Sequence, residues 1–271
     1  FFREGAEILN MRHSLYYSRR FSDITAGAKV GGQHKDLNFT FLNIHGDTVH
    51  GRTREGNSSV LRVVQNVGQK SSIGYYANSS EFVDGYSRVA SADGLFFLNE
   101  DFRFSFQGSF ANDRIEDKFG LTTKDSTDFL GYGSFSYQRY PWNVTLGYNA
   151  ITDEFDPTLG LIFRRNIFGP TFRTFYAHNA ENRWYKRLTI SYNNLLYQND
   201  LGRTVLRDYL LGSSVIFPND LGISLEHSNQ FHDPYDNLRT GASLIFHASD
   251  LWRSMDFGYA TGEFQTADYH E

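Results

Sequence analysis

The chain has 271 residues, a net charge of −5, 40% hydrophobic and 17% aromatic residues, and a mean hydropathy of −0.47. Zero cysteines exclude a disulfide framework and any thiolate metal site, and the mildly acidic balance gives no footing for nucleic-acid binding. No stretch approaches the roughly 18 consecutive apolar residues of a spanning helix. With 25 Phe, 17 Tyr, 24 Gly and only 5 Pro, the composition reads as all-β.

Residues 1–14 read as a leading segment, and "GAEILNM" is the one stretch compatible with a helical turn. Residues 1–30 lack a basic run followed by an apolar run, so no signal peptide is expected, and the chain reads as part of a longer precursor. From residue 15 to 271 a period of two recurs almost throughout, which is the spacing that gives a strand two unlike faces. Phe39 and Phe41 alternate with Asn38 and Thr40, and Phe102, Phe104 and Phe106 with Arg103, Ser105 and Gln107. Phe129, Phe135 and Tyr137 oppose Tyr132, Ser134, Ser136 and Gln138. In "WNVTLGYNA" Trp142, Val144, Leu146 and Tyr148 oppose Asn143, Thr145, Gly147 and Asn149. Further on, Leu188, Ile190 and Tyr192 oppose Thr189, Ser191 and Asn193, and Ile223 and Leu225 oppose Ser224 and Glu226. Turn signals ("YPW", "FDPT", "NDLG", "FPND", "HDPYD") separate the runs. The pattern predicts roughly 16 or more strands of about 8 to 14 residues, enough to cross a bilayer when tilted. Residues 112–127 are predicted to be a surface loop, and "LGLIFRR" (159–165) a strand following an acidic turn.

Such strands suit either a soluble sandwich or propeller, or a membrane barrel. A soluble sheet would carry Lys and Glu on its wet face; here the polar faces carry Ser, Thr, Asn, Gln, Tyr and Arg. Aromatics gather near strand ends: Tyr140, Trp142, Phe155, Phe168, Trp184, Tyr185, Phe217 and Trp252. Interfacial aromatic belts belong to membrane barrels, and closure removes the open edges that lipid does not tolerate. The expected fold is therefore an antiparallel transmembrane β-barrel of outer-membrane type.

"FFREGAEILNMRHSLYYSRRF" (1–21), through Phe1, Phe2, Glu4, Gly5 and then Tyr16, Tyr17, Ser18, Arg19 and Arg20, resembles the junction motif of a family of uncharacterised bacterial envelope proteins. These carry a carbohydrate-binding family 9-like domain ahead of an outer-membrane barrel. "AGAKVGG" (26–32), "VLRVVQNVGQKSSIGYY" (60–76) and "DEFDPTLGLIFRR" (153–165) are similar to the family as well, while the last third matches only as generic barrel. The resemblance implies an outer-membrane location and a barrel. It implies no reaction. The family's carbohydrate-binding-like domain is absent from this chain, as is an aromatic last residue, which leaves the strand number open.

Candidate sites are few. "LEHSNQF" resembles the His-x-Ser-Asn stretch of outer-membrane phospholipase A, but His227 and Ser228 are adjacent and point to opposite faces of a strand, and Asn229 is no nucleophile. His232, Asp233 and Asp236 are oxygen and imidazole ligands in a turn, a common chance grouping. Asp153, Glu154 and Asp156 suit a structural turn. No catalytic set, metal or cofactor is expected. The charges of interest are Glu4, Arg19, Arg20, Arg62, Arg164, Arg165 and Glu226. Arginines of these pairs pointing inward, facing Glu226 and Asp208, would form a strip that screens solutes; the favoured alternative is that such charges pair and brace the wall. Glu4 is expected to dock the leading segment on Arg19 or Arg20.

The function expected is a channel or transport-associated barrel with a polar lumen, with saccharides suggested by the family's additional domain. A second class is a structural barrel that anchors or sheathes a protein partner in an envelope complex, and a third is an outer-membrane hydrolase. The expected partner in every case is the lipid bilayer of the outer membrane. The connections look too short for a large plug.

Overall fold

A computed structural model of the chain describes residues 6–116, 123–181, 183–233, 235–250, 252–264 and 267–270. It is all-β, with single 3-10 turns at Ala6–Leu9 and Ser18–Arg20. The strands are β1 (Phe21–His34), β2 (Leu37–His50), β3 (Arg52–Val67), β4 (Ser71–Phe82), β5 (Gly85–Phe97), β6 (Phe102–Glu116), β7 (Thr123–Arg139) and β8 (Trp142–Ile151). They continue as β9 (Ile167–Asn179), β10 (Arg187–Gln198), β11 (Thr204–Ile216), β12 (Gly222–His232), β13 (Tyr235–Phe246), β14 (Met255–Phe264) and β15 (Ala267–His270). The sheet follows sequence order from β1 to β15 without a crossover. Every register given for neighbouring strands is antiparallel. Among the described residues β1 pairs with β2 alone and no ladder joins it to β14 or β15. Tight reversals use left-handed backbone where no side chain resists it: Gly51 (φ +73°) between β2 and β3, and Gly68 (φ +67°) between β3 and β4.

The chain packs as two compact units. The first comprises Phe1–Leu98, Arg103–Gly133 and Asn149–Ile167. Its register lines alternate residues of β2–β6 into rows across one face. One row runs Ile44, Ser58, Ser80, Ser87 and Asp113; the next Leu42, Val60, Asn78, Val89 and Ala111; the third Thr40, Arg62, Tyr76, Ser91 and Ser109. All fifteen of these side chains are buried, although two of the three rows are largely polar. Hydroxyl pairs knit neighbours together, Ser58 with Ser80 at 2.9 Å and Ser91 with Ser109 at 2.8 Å. The opposite face holds Phe41, Leu61, Tyr75, Phe104 and Phe110, between 38% and 66% exposed. A water-soluble domain arranges its faces the other way round. What covers the buried face is the segment before β1 and the connection between β8 and β9. Leu9, Leu15, Phe155 and Leu159 from these two stretches are at most 5% exposed.

The second unit comprises Asn99–Phe102, Ser134–Tyr148 and Phe168–Glu271. One of its faces carries exposed Leu146, Ile190, Leu211, Ile223, Leu225, Leu244 and Phe257. The other carries hydroxyl pairs such as Ser224 with Ser243 at 2.7 Å. The hairpin ends β7–β8, β9–β10 and β11–β12 fall on one side, and aromatic rings gather there. Trp142 meets Tyr176 at 4.7 Å, Trp184 meets Tyr185 at 5.0 Å and Phe217 at 6.1 Å, and the Tyr140 hydroxyl accepts from the Asn179 amide.

Several expectations change. Among the described residues the sheet has 15 strands where roughly 16 or more were predicted; most have the expected length, while β3, β6 and β7 run longer, up to 17 residues in β7. The predicted loop at 112–127 is largely strand, because β6 and β7 extend as a hairpin through its polar residues; residues 117–122 lie outside the described part. "LGLIFRR" is no strand: residues 152–166 form one connection with a single isolated bridge, Ser14 to Leu161. Phe155 is no interfacial aromatic but fully buried.

Candidate functional site

The buried polar face of the first unit is a docking surface for the chain's own leading segment. Arg62 on β3 falls on the inner face by parity. Its Nε donates to the Ile8 carbonyl at 3.1 Å, and its two terminal nitrogens form a fork on both carboxylate oxygens of Asp93 on β5. The guanidinium fits because residue 74 on β4 is glycine: a Cβ there would lie 2.5 Å from Arg62 Nη2. At 3% exposure, Arg62 is buried, so the pair and the backbone carbonyl supply what water cannot.

Farther along the segment, Gln107 on β6 holds both backbone polar groups of one residue, His13. Its Oε1 accepts from the His13 amide at 2.8 Å and its Nε2 donates to the His13 carbonyl at 3.1 Å. The His13 ring shares a 3.1 Å hydrogen bond with Asn149 Oδ1 on β8 and meets the Tyr132 ring edge-on at 6.0 Å. The Arg12 guanidinium stacks over the same Tyr132 ring, 5.1 Å from its centre. The Tyr76 hydroxyl donates to the Leu15 carbonyl at 2.8 Å while accepting from Asn78 Nδ2 at 2.9 Å.

The β8–β9 connection completes the cover. Leu161 donates to Ser14 at 2.9 Å and Tyr17 donates to Leu159 at 2.7 Å, a short two-stranded contact. Arg20 Nε reaches the Gly160 carbonyl at 3.1 Å, and the Thr158 amide donates to Ser87 Oγ at 3.2 Å. Asp156 takes His50 Nε2 at 3.1 Å and Arg165 at 2.8 Å.

Burial pulls the His13 imidazole below its ordinary pKa; the Asn149 bond acts the other way and Arg12 lowers it further. Burial alone pushes the Tyr16 phenol up to about 12. For Asp156, burial works to raise the carboxyl, but the hydrogen bond and charge of His50, with Arg165 and Arg20, hold it below the usual carboxylate range.

Beside the start of the docked segment lies a polar cavity of about 780 Å³. Glu7, Ile8 and Asn10 of the segment line it together with Lys29, Asn38, Thr40, Ser72, Arg62 and Asp93 of the wall. The lining offers both hydrogen-bond donors and acceptors to a small polar molecule.

Of the residues picked from sequence, Arg62 alone among the arginines lies on a strand of this face. Arg19 and Arg20 sit in the Ser18–Arg20 turn, and Arg164 and Arg165 in the β8–β9 connection, so no cationic strip forms along strands. Glu226 lies in the second unit, 3.8 Å from Arg239, and Asp208 takes His232 at 2.8 Å. Glu4 and the residues Phe1, Phe2 and Gly5 fall outside the described part. His227 turns to Thr240 at 2.8 Å on the face opposite Ser228, as parity required, and Asp236 takes Arg207 at 3.4 Å. Among the described residues no three His, Asp or Glu side chains gather as metal ligands. Gln107, Tyr76, Asn149, Asp93 and His13 were not singled out from sequence. The polar-face parity of Gln107 and Asn149 was visible, but that they would meet the leading segment was not. No protein-family model matches the chain, and no curated protein matches it in sequence.

Proposed function

We propose that the chain forms the wall of an outer-membrane β-barrel whose polar interior passes solutes alongside its own leading segment. The observation that carries this is the inverted polarity of the sheet. Thr40, Ser58, Ser80, Arg62, Gln107 and Ser109 are buried, while Phe41, Leu61, Tyr75, Phe110, Leu146 and Leu225 are exposed. Hydrocarbon is the solvent in which such a surface is at rest. The aromatic cluster at one row of hairpin ends suits the headgroup level. Closure of the sheet through the edge of β1 belongs to this reading, because lipid offers no partner to an open edge. Saccharides are the solute class, on the strength of the resemblance to barrels that follow a carbohydrate-binding-like domain; the mixed hydrogen-bonding lining of the cavity is compatible with them.

The test is reconstitution into a planar bilayer and into liposomes. Stable conductance steps, with saccharides acting as blockers or entering liposomes, are expected. Silence from protein that is inserted and folded overturns the passage and favours the structural-subunit alternative. Protein that stays in the aqueous phase without detergent overturns the membrane reading itself.

A further inference from the structure

We infer that residues 7–13 form a gate over the polar cavity, while residues 14–17 are the fixed anchor on which it turns. The gate's role in solute passage rests on the reading above, but the two-part division of the segment stands on its own contacts.

The anchor is held as protein interiors are held. Ser14 pairs with Leu161 and Tyr17 with Leu159 through the backbone, and Leu15 is fully buried. Leu15, Phe155 and Leu159 are all nearly inaccessible, and the buried Tyr76 hydroxyl donates to the Leu15 carbonyl. Uncovering that part would expose hydrocarbon to water.

The gate is held differently. Its described attachments to the wall are side chains that grasp its backbone or ring, Arg62 on Ile8, Gln107 on His13 and Asn149 on the His13 ring, together with the contacts of the Arg12 guanidinium and the His13 ring with the Tyr132 ring. It makes no strand pairing, Glu7, Asn10 and Arg12 are exposed, and Leu9 is its one buried apolar side chain. The surface under it is polar, so lifting it leaves Arg62 still forked on Asp93 and Gln107 free to bind water. Neither group then becomes a buried orphan. Glu7, Ile8 and Asn10 form one side of the cavity, which is open to solvent elsewhere, so their departure widens it. The wall strands keep their ladders throughout, because none of their backbone pairs involves the gate.

The experiment uses the absence of native cysteine, which makes single introduced thiols unambiguous. Leu9→Cys reports the gate and Leu15→Cys the anchor, each read by the rate of modification with a charged maleimide in protein folded in detergent. Gln107→Leu removes both grips on His13 at nearly constant volume. Modification of L9C is expected to quicken about tenfold in the Q107L background, the change that losing two ordinary hydrogen bonds brings. L15C stays protected in both backgrounds. Parallel acceleration at both positions would show one piece that unfolds together and would overturn the gate. No acceleration at L9C overturns it equally. Circular dichroism confirms that compared preparations are folded. Should Q107L fail that check, Gln107→Glu, which keeps the acceptor and loses the donor, is read the same way with a smaller rise expected. Because the labelling is done in detergent, it succeeds or fails independently of bilayer insertion and conductance, which test the membrane reading.

Discussion

Gly74→Ala isolates the ion pair that seats the leading segment. The added methyl would stand 2.5 Å from Arg62 Nη2 and 2.7 Å from its central carbon, so the guanidinium must leave its place. Moving it costs the fork on Asp93 and the bond to the Ile8 carbonyl. Breaking a buried pair costs about 3–5 kcal/mol. Asp93 keeps 20% exposure, and water reaching it places the loss at the lower end, about 3 kcal/mol. Alanine in a strand recovers about 0.5–1 kcal/mol over glycine, leaving a net destabilisation of about 2 kcal/mol. Urea unfolding of the folded protein measures it, in the wild-type background and in an Arg62→Met/Asp93→Leu background where there is no guanidinium to displace. In the second background G74A is expected to be neutral or slightly stabilising, so the two costs differ by about 2 kcal/mol. Equal costs in both backgrounds would refute the account, since glycine would then be needed for the strand itself and not for its neighbour's side chain.

Other outcomes follow from the same geometry. Leu146→Arg, at a position 54% exposed, is expected to weaken folding into bilayers by about 2–4 kcal/mol, read from urea titrations in liposomes; a water-facing site would change by less than about 0.5 kcal/mol. Tyr76→Phe strips a donor from the Leu15 carbonyl and an acceptor from Asn78 in a buried site and is expected to cost about 2–3 kcal/mol in the same titration. His13 has a folded pKa below its unfolded value near 6.5, so the unfolded state binds the extra proton first and stability falls as pH drops below that value. His13→Gln is expected to flatten unfolding midpoints measured across pH 7 to 5, and an unchanged slope would locate the sensitivity elsewhere.

Much of the wall was legible because a strand whose two faces differ in polarity writes them into alternate residues. The division of Trp142, Leu146 and Tyr148 from Asn143, Thr145 and Asn149 holds in the fold, as does the separation of His227 from Ser228. The cover was not legible, for a physical reason. "LGLIFRR" has the apolar spacing of a strand, yet its one β-bridge among the described residues is that of Leu161 with Ser14. Phe155 near a turn looks like Trp142 near a turn; one is buried beneath the cover and the other half exposed, and only contacts distant in sequence distinguish them. Residues 112–127 looked like a loop because they are polar, but Asn112 Nδ2 bonds Thr127 Oγ1 at 3.1 Å across a continuing hairpin. The paired arginines drew attention by composition, whereas Arg62 mattered because Gly74, diagonal to it, leaves room for its guanidinium to reach Asp93 opposite that glycine, a matter of register.

The sequential order of the strands has a bearing on how the molecule comes into being. Each strand finds its neighbour next to it along the chain, so the sheet can grow hairpin by hairpin with little loop entropy to overcome. The leading segment enjoys no such locality. Ile8, His13, Leu15 and Arg20 meet groups 54, 94, 61 and 140 residues away. The surface that receives it exists only after β3 to β8 stand side by side. The seat of residues 8–20 is therefore completed by strands and a connection that all lie later in the chain than the segment they hold.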